Sequence, residues 1–126
     1  SGEKWQQIMV HQWIEKLCGV KGKKLILLEG SFSPEFIEEV WEEGKAEGFL
    51  VICLHTTRIA REKRLVGLRF QPELANVEME NWANYLQKKT LELNGEIIDN
   101  SGNNISHTLE KLIRIILVKS QRIYNG

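Results

Sequence analysis

The spacing of apolar residues along this chain changes several times, and each change predicts an element. Across residues 3–17, Trp5, Ile8, Met9, Trp13 and Leu17 recur at helical spacing, and Gly19 follows as a stop. A basic, glycine-containing loop over residues 20–23 leads into the unbroken run Leu25-Ile26-Leu27-Leu28, which ends at Glu29-Gly30-Ser31. A short apolar run bounded by turn formers predicts a strand buried on both faces. Ser33 and Pro34 suit the cap and first position of a second helix. Its inward face is Phe36, Ile37, Val40 and Trp41, its wet face Glu38, Glu39, Glu42 and Glu43, and Gly44 or Gly48 ends it. Residues 49–54 form a second apolar strand, ending at His55-Thr56-Thr57. Residues 58–68 predict a helix with Ile59, Leu65 and Leu68 among basic residues, broken at Gln71-Pro72. A long helix over about 73–93 turns Leu74, Val77, Trp82, Tyr85, Leu86 and Leu93 inward and stops at Asn94-Gly95. Residues 96–99 predict a short third strand, followed by Asn100-Ser101-Gly102. In the last helix, residues 106–119, Leu109, Leu112, Ile113, Ile116 and Leu117 form one amphipathic stripe, and residues 120–126 are expected to fray.

Alternating strands and helices predict an α/β fold. The expectation is a three-layer α/β/α domain spanning residues 1–126, with a short parallel sheet of about three strands and right-handed crossovers. Ligand crevices in such sheets lie at the carboxyl ends of the strands. Three strand ends should therefore converge: Glu29-Gly30-Ser31, His55-Thr56-Thr57 and Asp99-Asn100-Ser101. Each combines a polar or acidic group with small hydroxyl or amide side chains, the inventory of a small-molecule site.

Composition narrows the partners. The formal net charge is zero, which gives no overall attraction to nucleic acid or an acidic membrane, so neither is an expected partner. No apolar run approaches 18 residues and no signal peptide is visible, so a cytoplasmic location is expected. Cys18 and Cys53 do not make a disulfide framework, and Cys53 reads as a small buried hydrophobe. His11, His55 and His107 lack metal-ligand spacing with the cysteines, so no structural metal is expected.

Charge is nevertheless uneven along the chain. Residues 29–48 hold seven acids and one lysine, and residues 58–69 hold five basic residues and one acid. Arg58, Arg61 and Arg64 stand at helical i, i+3 and i+6, and Arg69 follows Gly67. Guanidinium forks match phosphate oxygens two at a time and stabilise a transferring phosphoryl group. The same spacing fits a solvated helix face paired with the glutamates of the second helix equally well. Trp82 and Tyr85, one turn apart, fit core packing better than base stacking.

Taken together, several stretches resemble the second half of a P-loop nucleotide or small-molecule kinase, of the nucleoside monophosphate kinase-like type. They are the helix before Leu25, the strand ending Leu28-Glu29-Gly30-Ser31, the run over residues 49–54, the basic segment 58–64, the long helix, and Gly95-Glu96-Ile97-Ile98-Asp99-Asn100-Ser101 with its terminal helix. The resemblance implies part of an ATP-dependent phosphotransferase, with ATP and Mg2+ as cofactors and a small molecule or nucleotide as substrate. It implies catalytic roles for Glu29, which would hold magnesium or orient the acceptor, and for Arg61 and Arg64 in a lid over the phosphates. It implies substrate binding by Gly30, Ser31, Arg58 and Arg69, and nucleotide binding by Asn100 and Ser101. The chain departs from that family in one respect: no glycine-rich loop ending Gly-Lys-Ser or Gly-Lys-Thr follows a strand. Residues 19–24 are rich in glycine and lysine but precede a strand, so they cannot form the strand-to-helix phosphate cradle. The family's first strand, which would lie between residues 25–28 and 49–54 in the sheet, is also missing, leaving an incomplete kinase-like sheet. Three explanations follow. The chain is a fragment of a larger kinase-like domain, another chain or a swapped homodimer completes the sheet, or the two strands pair directly in a smaller fold. The alternative function is a non-catalytic α/β interaction or oligomerisation module.

Overall fold

The computed structural model describes residues 2–20, 22, 25–42, 48–68, 71–102 and 104–125, without the side chains of residues 68, 74 and 120–125. Arg69, Glu43 and Gly44, named above, lie outside the described residues. The fold comprises two compact units, residues 1–49 and 50–126.

The N-terminal unit is built on two helices, α1 (Gly2–Cys18) and α2 (Glu35–Glu42). Gly19 closes α1, its N–H donating to Glu15 O at 3.2 Å. The Ser33-Pro34 turn opens α2 one residue later than the cap pattern predicts. Phe36 N donates to Ser33 O and Ile37 N to Pro34 O, at 3.2 and 3.1 Å. Val10 and Ile14 of α1 pack with Phe36 and Val40 of α2, and Phe32 and Ile37 seal the cluster. The buried stripe of α1 is therefore not the predicted one. Trp5, Ile8, Met9 and Trp13 are exposed, Trp5 by 68%. The reason is geometric. α1 carries apolar residues around much of its circumference, and an eight-residue partner covers only one stripe. Polar groups tie the pair at its rim. Glu39 Oε2 accepts from Gln7 Nε2 at 2.8 Å and lies 2.8 Å from His11 Nε2. The Gln7 hydrogen bond, with help from His11, holds the Glu39 carboxyl below its ordinary 4.5 against the opposing effect of burial.

Residues 25–28 correct the sequence reading most sharply. They form no strand, and all four side chains are exposed, Leu27 by 72%. Among the described residues of its unit the segment has no strand beside it. With no strand to pair with, its N–H and C=O groups are left to water, so it is not buried on both faces.

The C-terminal unit holds a sheet of two parallel strands among the described residues, β1 (Ile52–His55) and β2 (Glu96–Asp99), in register from Ile52 opposite Glu96 to His55 opposite Asp99. The α/β class stands, with two strands where about three were expected. β1 starts later than predicted because β2 offers only four residues to pair with, and the last link upstream is Glu96 N to Val51 O at 3.0 Å. Parallel pairing requires a long crossover. Here it comprises α3 (Arg58–Lys63), a π-helical turn (Arg64–Leu68), a 3-10 turn (Pro72–Leu74) and α4 (Val77–Glu92). The predicted helix over 58–68 thus widens at Arg64, and the predicted long helix starts only at Val77, capped by Asn76 Oδ1 accepting from Met79 N at 2.8 Å. Val77, in the first turn, is exposed rather than inward.

The predicted stop at Asn94-Gly95 is a full Schellman closure. Asn94 takes a left-handed φ of 57°. Asn94 N donates to Leu91 O at 3.1 Å and Gly95 N to Thr90 O at 2.8 Å. A Cβ on Gly95 would collide with Val51 O and with Thr90, so only glycine lets the end of α4 press against the residue before β1. Ile98, 2% exposed, and Thr90, 1%, centre the unit, with Leu65 also buried. Thr90 satisfies its hydroxyl by donating to Leu86 O at 2.6 Å. Cys53 is half-buried, and burial pushes its thiol up. The last helix, α5 (Ile105–Asn125), starts behind Asn104, whose Oδ1 accepts from His107 N at 3.1 Å. Its backbone stays helical through the stretch expected to fray. Its single predicted stripe divides. Leu112 and Ile116 are half-buried, while Leu109, Ile113 and Leu117 are exposed.

Two measurements test this packing. Ile98→Ala should lower the unfolding free energy in urea by about 2–5 kcal/mol, the range for truncating a fully buried aliphatic residue. Glu39 has its carboxyl lowered in the folded state, so its contribution is present above the ordinary carboxylate value and is lost as pH falls through the folded one. Acid titration of the thermal midpoint should show a drop below about pH 4.5 that is shallower in Glu39→Gln.

Candidate functional site

The carboxyl ends of β1 and β2 lie side by side, and the residues that follow them are cross-connected. Asn100 N donates to His55 O at 2.6 Å, extending the ladder by one rung. Thr57 N donates to Ser101 Oγ at 2.8 Å. Thr57 in turn caps α3, its Oγ1 accepting from Ala60 N at 3.3 Å. The Ser101 hydroxyl also binds Asp99, and Asp99 Oδ1 accepts from Ser101 N at 2.8 Å. These two hydrogen bonds, the hydroxyl one first, hold the exposed Asp99 carboxyl below its ordinary 3.8, with His55 and Lys111 adding a smaller attraction. Asp99 is therefore anionic throughout the neutral range. Asn100 Oδ1 accepts from Thr108 Oγ1 at 3.0 Å, which fixes the loop to the first turn of α5.

Two arginines close this edge from the crossover. Arg61 donates Nη1 to Glu80 Oε1 and Nη2 to Thr56 O. Its side chain is only 14% exposed, and the half-buried Glu80 on α4 supplies the counter-charge that a buried guanidinium needs. Arg64 donates Nη1 to Thr56 Oγ1 at 3.3 Å and Nη2 to Asn100 O and Ser101 O at 2.6 and 3.3 Å. Its fork spans both strand ends, so one cation holds two loops at a set separation. Arg58 differs from both. It is exposed and pairs with Glu62 one turn on, Nε to Oε1 at 3.0 Å. Beside it, Arg58, Glu62, Asn76 and Glu80 line a shallow cleft of about 200 Å³ between α3 and the start of α4, with Ala75 and Val77.

The C-terminal unit thus brings together Arg61, Arg64, Asn100 and Ser101, with Arg58 on the exposed side of α3. Glu29, Gly30 and Ser31 belong to the N-terminal unit and are exposed there. Arg69 lies outside the described residues. The sequence reading missed Glu80 and Thr108, which lie 19 and 8 residues from their partners Arg61 and Asn100. For Glu80 the signal was indirect: an arginine on a helix that packs inward requires a carboxylate, and several glutamates were available.

Among the described residues no group of three or more His, Cys, Asp and Glu is disposed to hold a metal ion. None of their helices is long and apolar enough to cross a membrane. Residues 21, 23 and 24 of the glycine- and lysine-rich stretch lie outside the described residues. No protein-family model, no curated protein and no solved structure matches the chain.

The strand-edge cluster makes a direct prediction. Arg64→Ala should cost about 1.5–3 kcal/mol, the range for hydrogen bonds to a charged group, and should raise amide exchange at Asn100 and Ser101. Arg64→Lys should recover only part of the loss, because an ammonium cannot fork across Thr56 and Asn100.

Proposed function

We propose that the C-terminal unit binds a nucleotide or phosphorylated small molecule at the carboxyl edge of β1 and β2, as part of an ATP-dependent small-molecule or nucleotide phosphotransferase. One observation carries this reading. Two parallel strands end in polar loops, Thr56-Thr57 and Asn100-Ser101, clasped by a forked arginine. The edge of a parallel sheet is where α/β folds take ligands. In this reading Arg64 is first a positioning residue, since its named acceptors are the loops themselves. Arg61 is largely neutralised by Glu80 and sets the path of Thr56. Arg58, out in solvent, is the guanidinium able to swing onto a phosphate. Asn100 and Ser101 face the base side of a nucleotide. Glu29, Gly30 and Ser31 belong to the N-terminal unit, and this reading of the C-terminal unit does not use them.

ATP and Mg2+ enter here as substrate and its ion. The described residues offer neither a triphosphate cradle nor a magnesium cage. The unit's own contribution is therefore to bind and orient the nucleotide.

Titrating the isotopically labelled chain with ATP tests the reading. Amide shifts should concentrate at residues 55–58 and 99–102, with a dissociation constant on the order of 1 mM and little magnesium dependence. Arg58→Ala should weaken the binding severalfold without loss of fold. Unchanged spectra up to about 10 mM nucleotide, or shifts confined to α1 and α2, would overturn it.

A further inference from the structure

The carboxyl edge of the sheet carries exposed charge of both signs, one sign on each strand. Arg58, just past the end of β1, is the exposed cation. Asp99, the last residue of β2, is the exposed anion. Thr57 immediately precedes Arg58, and Ser101 lies two residues beyond Asp99. Thr57 N donates to Ser101 Oγ at 2.8 Å, so one hydrogen bond links the two sides. A ligand lying across that bond has a cation at one end and a carboxylate at the other.

Asp99 has no role so far in the nucleotide reading. A carboxylate accepts about four hydrogen bonds. Among the described residues Asp99 accepts two, both from Ser101: one from its N–H at 2.8 Å and one from its hydroxyl. His55 and Lys111 attract it without a hydrogen bond. The side chain is thus held in place, kept anionic and left with exposed acceptor capacity. An ionised carboxylate is an acceptor only. It repels a phosphate and favours a group that presents O–H donors. Among the described residues no group of three or more metal-ligating side chains includes it, which argues against an ion there. In a nucleotide the donors nearest the phosphates are the 2′- and 3′-hydroxyls of the ribose. Two free acceptor positions match two adjacent hydroxyls.

Resting on the nucleotide reading, we propose that Asp99 binds the ribose 2′- and 3′-hydroxyls, so that the edge selects ribonucleotides over deoxyribonucleotides. The phosphates then lie toward β1 and Arg58, and the sugar toward β2. The like charges of phosphate and carboxylate enforce this direction, because the reversed ligand would set them together. A phosphate on the 2′- or 3′-oxygen is excluded for the same reason. Strand-end carboxylates bind ribose hydroxyls in dinucleotide-binding α/β folds by the same chemistry.

The test titrates the intact labelled chain with ATP, 2′-deoxy-ATP and 3′-deoxy-ATP, following the amides of residues 55–58 and 99–102. Each deoxy compound should bind about three- to tenfold more weakly than ATP, the effect of one net hydrogen bond in water. Asp99→Asn keeps an oxygen to accept from Ser101 N and loses the charge. It should bring ATP to the level of the deoxy compounds, and leave 2′-deoxy-ATP unchanged or tighter because a like charge has gone. Equal affinity of the unaltered chain for all three overturns the sugar assignment and leaves the nucleotide reading intact. Equal losses for all three in Asp99→Asn would make Asp99 a loop-holding or magnesium-binding residue, and also overturn the assignment. Absence of shifts with any of them overturns both readings.

Discussion

The Arg64 fork is the constraint on which the C-terminal unit depends. A two-stranded parallel sheet has few ladder hydrogen bonds, and its strands are far apart in sequence. Something other than the ladder must hold the strand ends at a set distance. Arg64 does so by donating to Thr56 on one side and to Asn100 and Ser101 on the other. The π-helical turn that begins at the same residue places it over both loops. Wide turns of this kind recur at functional positions in helices, where an extra residue re-aims a side chain. Arg61 and Glu80 brace the same edge from the neighbouring turn and from α4. Ser101, at once donor to Asp99 and acceptor from Thr57, closes the set.

This arrangement changes what the arginines mean. Spacing alone treated Arg58, Arg61 and Arg64 as equivalent candidates for phosphate. Burial separates them. Arg61 and Arg64 are committed to the protein's own oxygens, and a ligand at the edge meets a surface they have shaped. Arg58, paired with Glu62 in an exposed ion pair and attracted more weakly by Glu80, gives up little to change partners, because such pairs contribute little in water.

Local signals in the sequence were legible, and signals that depend on a distant partner were not. Asn94-Gly95 announced the end of α4 because a left-handed residue followed by glycine is a local chemical statement. Residues 96–99 and the helices at both termini were equally legible. Residues 25–28 were not. Whether an apolar run becomes a strand depends on another strand arriving beside it, and no property of Leu25 to Leu28 reports that. The inward faces of α1 and α5 failed for a related reason. Both helices have more apolar residues than one neighbour can cover, so periodicity named a broad arc and packing chose part of it. At the site, the strand ends Thr56-Thr57 and Asn100-Ser101 were visible as turn chemistry. The partnership of Arg61 with Glu80 came from the crossover's path through space.

The glycine at the end of α4 has a consequence for how far a single substitution would reach. Gly95 is at once the last member of the helix-terminating motif and the residue before β2, with no slack between them. Its missing side chain lets Val51, just before β1, sit against the same point. The final turn of α4, the start of β1 and the start of β2 therefore meet at one backbone position, although Val51 and Gly95 lie more than forty residues apart in sequence. A side chain placed there would disturb the helix end and both strand starts together, in a way that a change confined to any one of them would not.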